Sequence, residues 1–262
     1  MPAQNVAVKV VVTPLLIGGA SVAGRRFGHH VSGWLVALPM TSGPVAFFLA
    51  TEQGKHFAAA AAVGMLAGTS SQVAFALAYG FVAWRGARWA FLAGSAAFAA
   101  ATVGLSFLHW GPPATFGLVV MTLVIGYAVT RRRVPESPTE PTRLPRWDIP
   151  VRMLAATTVA MLITTLAPLL GPHLAGLLSP FPVFGAVIAI FTHKTHGAAG
   201  ARQALDGLSL GLAAPAVFFV VLALLLQPVG LVAFAIATGA ALVAQGVTML
   251  AIPRDEQLTA SQ

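Results

Sequence analysis

Residues 31–50 read VSGWLVALPMTSGPVAFFLA, an uncharged apolar segment interrupted at its centre by Pro39, Gly43 and Pro44. About 20 mostly apolar residues form a helix long enough to cross a bilayer. Because proline removes a backbone donor and glycine permits non-helical dihedral angles, we expect this helix to unwind at residues 39–44. Non-helical backbone survives at membrane depth only inside protein or beside water, so the rest of the chain should cover the break.

The composition of the whole chain supports a membrane protein. Of its 262 residues, 57% are apolar and 8% are charged, against about 45–50% and about 25% in typical soluble domains. So few charges exclude a soluble domain, and so much apolar surface excludes disorder. The chain has no cysteine, which excludes disulfides and thiolate chemistry. The sequence therefore predicts an all-α polytopic membrane protein.

Nine segments qualify as spanning helices, and the basic residues orient them. With the N-terminus outside, 13 of the 15 Lys and Arg residues fall on the cytoplasmic side and only Lys9 and Lys55 fall outside, as the positive-inside rule requires. The net charge of +8 is thereby explained without a nucleic-acid partner. We expect an integral protein of a bacterial-type inner membrane, with a cytoplasmic C-terminus. The predicted spans are residues 6–23, 31–50, 57–83, 87–108, 113–130, 149–170, 174–192, 198–226 and 229–252.

The chain contains an internal repeat. Residues 28–75 align without a gap with residues 171–218, at a shift of 143 residues, and 13 of the 48 aligned positions are identical. The alignment pairs spans 1–4 with spans 6–9 and leaves span 5 unpaired. Because five spans separate equivalent helices, the copies face opposite ways across the bilayer. The identical pairs are Gly28/Gly171, His30/His173, Gly33/Gly176, Leu35/Leu178, Pro39/Pro182, Ala46/Ala189, Phe48/Phe191, Gly54/Gly197, Ala58/Ala201, Ala61/Ala204, Gly64/Gly207, Gly68/Gly211 and Phe75/Phe218.

The repeat defines the domain organisation. Residues 1–110 form the first repeat, and residues 149–254 form the second. Between them, residues 111–148 comprise span 5 and a cytoplasmic linker rich in proline and arginine. A short cytoplasmic tail follows at residues 255–262.

A second break is expected in span 7, at the depth of the first. Residues 179–185 read SPFPVFG, and Pro182 is the repeat equivalent of Pro39. Paired breaks in two inverted halves indicate the central site of a transporter, whereas prolines that merely kink two membrane helices are the alternative. The residues predicted to bind substrate at the two breaks are Pro39, Thr41, Ser42, Gly43, Pro44, Phe181, Pro182, Phe184 and Gly185.

Span 3 adds polar side chains at the same depth: Thr69, Ser70, Ser71 and Gln72. They either contact substrate or water, or form interhelical hydrogen bonds, which contribute about 0.6 kcal/mol each in membranes. Gln72 is the strongest single candidate. Just before them, Gly64-x-x-x-Gly68 recurs as Gly207-x-x-x-Gly211, and this spacing predicts that spans 3 and 8 pack closely against the broken spans 2 and 7.

Two acidic residues lie near apolar segments. Asp206 is about two turns into span 8, and Glu52 ends span 2. A carboxylate in a membrane is a candidate site for H⁺ or Na⁺ coupling. The alternatives are an i, i+4 pair of Asp206 with Arg202 and an interfacial position of Glu52 beside Lys55.

The sequence lacks signs of a metal centre or an enzyme. His193 and His196 could share a helical face, but two ligands make a weak metal site, so an interfacial cluster is the preferred interpretation. None of the catalytic or phosphate-binding motifs sought is present. We therefore expect no metal, no cofactor and no enzymatic activity.

The organisation resembles inverted-repeat secondary transporters with discontinuous crossing helices, such as the sodium/proton antiporter and bile-acid symporter folds. This chain would be a five-plus-four version of them. The resemblance is architectural and implies a secondary active transporter with alternating access about the breaks. The scarcity of charge in the apolar segments separately favours a small neutral, amphipathic or singly charged solute. An uncoupled channel or facilitator, and a non-transport membrane scaffold or lipid-interacting subunit, are the alternatives. The expected partners are the bilayer, the solute and H⁺ or Na⁺, and a homo-oligomer is compatible with the sequence.

Overall fold

The computed structural model describes Pro39, residues 41–131 and residues 148–251. Span 1, residues 31–38 of span 2, the Arg/Pro-rich linker and the C-terminal tail lie outside the described residues. The described part is all helical, and a 3-10 turn at Ala83–Arg85 joins its second and third α-helices. The α-helices are α1 (Ser42–Glu52), α2 (Lys55–Val82), α3 (Ala87–Ser106), α4 (Pro112–Arg131), α5 (Asp148–Leu178), α6 (Val183–Gly211), α7 (Ala213–Val229) and α8 (Val232–Ala251).

Five helical segments in the described residues are long and apolar enough to cross a membrane. Their mean hydropathy ranges from 1.4 to 2.5. Length and hydropathy of this kind are typical of an integral membrane protein, so the predicted class is confirmed at this level. The segments are Lys55–Arg85, Ala87–Ser106, Pro112–Arg131, Met153–Leu178 and Val183–Val229.

Non-helical residues divide the two longest helical stretches. Val183–Val229 has 47 residues and would be about 70 Å long if straight, more than twice the apolar thickness of a bilayer. It bends at Gly197 and turns at Leu212, and α5 bends at Gly171. Gly171 and Gly197 lie between predicted spans. The turn at Leu212 interrupts predicted span 8, and Pro215 follows in the first turn of α7, where proline is tolerated because its missing N–H has no helical partner.

Four glycines among the described residues share an unusual backbone conformation. Gly54, before α2, has φ 88° and ψ 162°, and Gly197, inside α6, has φ 69° and ψ −164°. This region of dihedral space is open essentially to glycine alone. Gly54 and Gly197 are equivalent in the sequence repeat, but Gly86 and Gly171 adopt the same region without such a pairing in the described part.

Helix α2 is the centre of the described bundle. Of its most apolar stretch, 72% is buried, against 17% for α4. The N-terminal half of α2 packs with α1, α5, α7 and α8 in one apolar cluster, which includes Leu49, Met65 and Phe219. The C-terminal half packs with α3 and α6 in a second cluster, which includes Phe75 and Phe98.

Candidate functional site

The break in span 7 is observed, and it is shorter than predicted. Helix α5 ends at Leu178 and α6 begins at Val183, so residues 179–182 are not helical. Phe184 and Gly185, expected in the break, are already helical. The reason is that Pro182 precedes α6 instead of interrupting it: its carbonyl accepts the first helical hydrogen bond, from the Ala186 N–H at 2.7 Å.

A side chain from α2 binds the backbone of this break. The Gln72 Nε2 donates to the Pro180 carbonyl oxygen at 2.6 Å. Pro180 is buried, and Ser179 is fully buried, with its hydroxyl donating to the Ala175 carbonyl at 2.6 Å. A buried carbonyl outside a helix needs a donor. The amide of Gln72 supplies that donor, so the strongest candidate in span 3 does reach the break.

Glycines allow α2 to lie directly on the N-terminal half of span 7. A Cβ atom on Gly64 would lie 2.5 Å from the His173 carbonyl oxygen, and one on Gly68 would lie 2.8 Å from the Leu177 carbonyl oxygen. A Cβ atom on Gly176 would collide with the Ala61 carbonyl oxygen. Backbone therefore meets backbone, and the predicted close packing of Gly64-x-x-x-Gly68 against a broken span is confirmed.

The second copy of that motif behaves differently. Among the described residues, no atom lies within 4 Å of a Cβ atom built on Gly207 or Gly211. The predicted close packing of Gly207-x-x-x-Gly211 is therefore not seen in the described part of the chain. The equivalent partner segment, in the N-terminal half of span 2, falls outside it.

Two of the other three polar residues of span 3, Ser70 and Ser71, bind neighbouring helices. Ser70 and Thr122 of α4 share a hydrogen bond at 3.2 Å, and the Thr102 hydroxyl of α3 donates to Ser71 at 3.1 Å. Thr69 donates to the carbonyl of Met65 on its own helix. Ser71 and Thr69 are fully buried. These contacts match interhelical bonding, the alternative to substrate contact.

The first break is described only on its C-terminal side. Pro39 is buried and not helical, and its carbonyl accepts a hydrogen bond from the Gly43 N–H at 2.6 Å. Helix α1 begins at Ser42, so Ser42, Gly43 and Pro44 are helical, contrary to the prediction. Pro44 is the third residue of α1, where proline disturbs a helix little. The N-cap Thr41 is half-buried and makes no side-chain capping bond.

The two breaks lie in different surroundings. Val45 and Ala46, just after the first break, belong to the cluster around the N-terminal half of α2. Phe181 and Ala186, at the second break, belong to the cluster around its C-terminal half. The described contacts therefore assemble Gln72 with the second break but do not bring the first break to it.

Aromatic side chains that were not singled out in the sequence surround Phe181. Its ring meets the Phe98 ring edge to face at 5.2 Å and the Phe75 ring at 6.4 Å. Phe75 also contacts Phe91 at 6.3 Å. The one available signal was the spacing of Phe91 and Phe98, seven residues apart on one face of a helix. Nothing in the sequence indicates that this face meets Phe181.

Polar contacts also join α2 to α6 beyond the break. The buried Tyr79 hydroxyl and the His193 Nδ1 lie 3.3 Å apart, and the Arg202 Nε donates to the Gly80 carbonyl at 2.9 Å. His196 instead binds the Thr195 hydroxyl at 2.8 Å, so it and His193 have different partners. No group of three His, Asp or Glu residues that could hold a metal occurs in the described part.

The predicted coupling residues are distant in sequence from both Gln72 and Pro180. Asp206 is half-buried on α6, one turn after Arg202, and Glu52 is half-buried at the end of α1. Their role in coupling stays a prediction.

Comparison with known proteins does not assign a family or a function to this site. No protein-family model, curated protein or solved structure matches the chain.

Proposed function

We propose that this chain is a secondary active transporter of a small neutral, amphipathic or singly charged solute. In this proposal nine spans form a five-plus-four inverted repeat, and access alternates about the broken spans. The observation that carries it is the buried break at residues 179–182, whose Pro180 carbonyl is bound by Gln72 of the neighbouring helix. Irregular backbone at membrane depth is typical of transporter binding sites.

Matching backbone contacts support the repeat within this proposal. The Gly43-to-Pro39 hydrogen bond and the Ala186-to-Pro182 hydrogen bond join equivalent residues at the 143-residue shift, at 2.6 and 2.7 Å. Both bonds open the helix that follows a break. Gly54, after α1, and Gly197, within α6, are also equivalent and share a dihedral region, which Gly86 and Gly171 adopt as well. Two copies of one structural unit would produce these correspondences.

The chemistry at the second break favours a solute of low charge. Gln72, Ser179 and Phe181 offer an amide, a hydroxyl and an aromatic ring, and none of them carries a charge. An ion of high charge would need compensating charges to leave water. In this proposal coupling to H⁺ or Na⁺ falls to Asp206 and Glu52.

A membrane scaffold is the second candidate, and one observation favours it. Ser70 and Ser71 are engaged by Thr122 and Thr102, so much of the polarity of span 3 holds helices together. A protein whose buried polar groups all serve packing would need no solute.

Flux measurements in proteoliposomes test the proposal. Uptake of a panel of neutral and monovalent solutes is measured with an imposed proton or sodium gradient, for wild type, Asp206→Asn, Glu52→Gln and the linker control Glu140→Gln. We expect one gradient to drive wild-type accumulation, and one or both of the first two variants to retain only downhill flux. The control removes a carboxylate away from the spans and should accumulate solute like wild type.

Other results would contradict the proposal. Downhill flux that no gradient drives uphill would indicate a facilitator. An absence of flux for every solute, with either gradient, would favour the scaffold.

A further inference from the structure

A serine hydroxyl without a partner in the described part of the chain lies on the helix face that carries two rings of the aromatic cluster. Ser95 of α3 is four residues after Phe91 and three before Phe98, so the three side chains share one helical face. That face meets Phe75 and Phe181, because Phe91 contacts the first ring and Phe98 contacts the second. The Ser95 Oγ is buried and has no hydrogen-bond partner among the described residues.

The lone hydroxyl requires an explanation. Serines inside helices often donate to a carbonyl one turn earlier, as Ser209 does here to the Leu205 carbonyl. A buried polar group without a partner costs about 1–3 kcal/mol. Alanine would fill the same volume without that cost, so the hydroxyl is a feature that a bound molecule could use.

Phe181 is the ring that can leave the cluster. It stands in the non-helical segment between α5 and α6, and its side chain is only half-buried, whereas Phe75 and Phe98 sit on continuous helices and are almost fully buried. Phe181 is therefore held by ring contacts more than by a helical backbone. A planar molecule of similar size could take its place against Phe98.

We propose that Phe75, Phe91, Phe98 and Ser95 form a subsite for a neutral aromatic solute bearing a hydroxyl group, with Phe181 as the side chain that the solute displaces. This inference rests on the proposed transport site and names its substrate class. The rings supply apolar and edge-to-face contacts, and the Ser95 hydroxyl binds the hydroxyl of the solute. A few polar groups in an aromatic lining are typical of small-molecule sites.

Calorimetric titration of the purified protein in detergent tests the subsite, with p-cresol and toluene as probes. The two molecules differ by one hydroxyl. We compare wild type, Ser95→Ala, Phe181→Ala and the control Ser106→Ala, whose hydroxyl binds the Val103 carbonyl at an exposed position. Partition of the probes into detergent is the same for every variant and cancels.

The expected result is saturable p-cresol binding that weakens about three- to tenfold in Ser95→Ala, the size of one net hydrogen bond. Toluene should bind wild type and Ser95→Ala equally, Ser106→Ala should match wild type, and Phe181→Ala should bind both probes more tightly. Equal p-cresol affinity in wild type and Ser95→Ala would overturn the proposal. So would a lack of saturable binding to both wild type and Phe181→Ala.

The outcome separates this inference from the transport proposal. Ser95-dependent p-cresol binding without gradient-driven uptake of any solute would support the subsite and contradict transport. Gradient-driven uptake of a non-aromatic solute, without p-cresol binding, would contradict the subsite and leave transport standing.

Discussion

The close approach of α2 to the N-terminal half of span 7 makes Gly64→Ala a severe change. The added methyl carbon would lie 2.5 Å from the His173 carbonyl oxygen, 3.0 Å from the Leu177 nitrogen and 3.1 Å from the Gly176 Cα. All three are backbone atoms, so no side chain can rotate away. One of the helices has to move, and with it the break that follows Leu178.

The expected loss of stability follows from two opposing effects. Overpacking of a close contact costs about 1–3 kcal/mol, and replacing glycine by alanine inside a helix returns about 0.5–1 kcal/mol. The net effect is a loss of up to about 2.5 kcal/mol, centred near about 1 kcal/mol. For a chain of this size, each kcal/mol lost lowers the midpoint temperature of unfolding by about 2–4 °C.

Thermal unfolding in detergent, followed by tryptophan fluorescence, measures this shift. Gly117→Ala is the matched control, because Gly117 lies inside α4 and no other helix in the described part has an atom within 4 Å of its added methyl carbon. Only the helix-forming effect of alanine operates there, so Gly117→Ala should raise the midpoint by about 1–4 °C. The two substitutions should therefore act in opposite directions. A Gly64→Ala protein as stable as the control would refute the backbone contact.

Three further outcomes are expected. Gln72→Leu removes the donor from the Pro180 carbonyl and should cost about 1–3 kcal/mol, seen as a lower unfolding midpoint and faster amide exchange at residues 179–182; unchanged exchange there would contradict the role of the amide. Tyr79→Phe deletes a buried hydroxyl and should cost about 0.5–1.5 kcal/mol in the same unfolding assay, and a stabilised variant would contradict the hydrogen bond. Because the chain has no cysteine, single cysteines can be introduced without background labelling. A membrane-impermeant maleimide should label Lys55→Cys in intact cells and Arg85→Cys only after permeabilisation. Labelling of both variants in intact cells would contradict the nine-span orientation.

Proline and glycine residues made many of the helix boundaries predictable. Pro182, Gly171 and Gly197 each alter the backbone conformation regardless of the residues packed around them, so their effect on the helices can be predicted from the local sequence. Proline also explains one error. Pro44 was expected in the first break, but proline in the first turn of a helix lacks only a hydrogen bond that would not have formed.

The candidate site was predictable only in part, because it depends on which helix faces meet. Gln72 was identified from polarity at the depth of a predicted break, and the structure brings it to Pro180. Ser70 and Ser71 carry the same signal, yet they face α4 and α3. The aromatic surroundings of Phe181 come from two separate helices, α2 and α3, and no local pattern in the sequence specifies how those helices pack.

The burial of α2 has a consequence for how this sequence can change over time. Helices that face lipid can exchange leucine, valine or isoleucine with little effect, so their identity should drift quickly. Gly64 and Gly68 on α2, and Gly176 on the helix that faces them, are limited to small side chains by the backbone lying against them. A distant relative should therefore retain this spacing of small residues after overall identity has faded, and a search for that spacing offers a way to recognise the lineage.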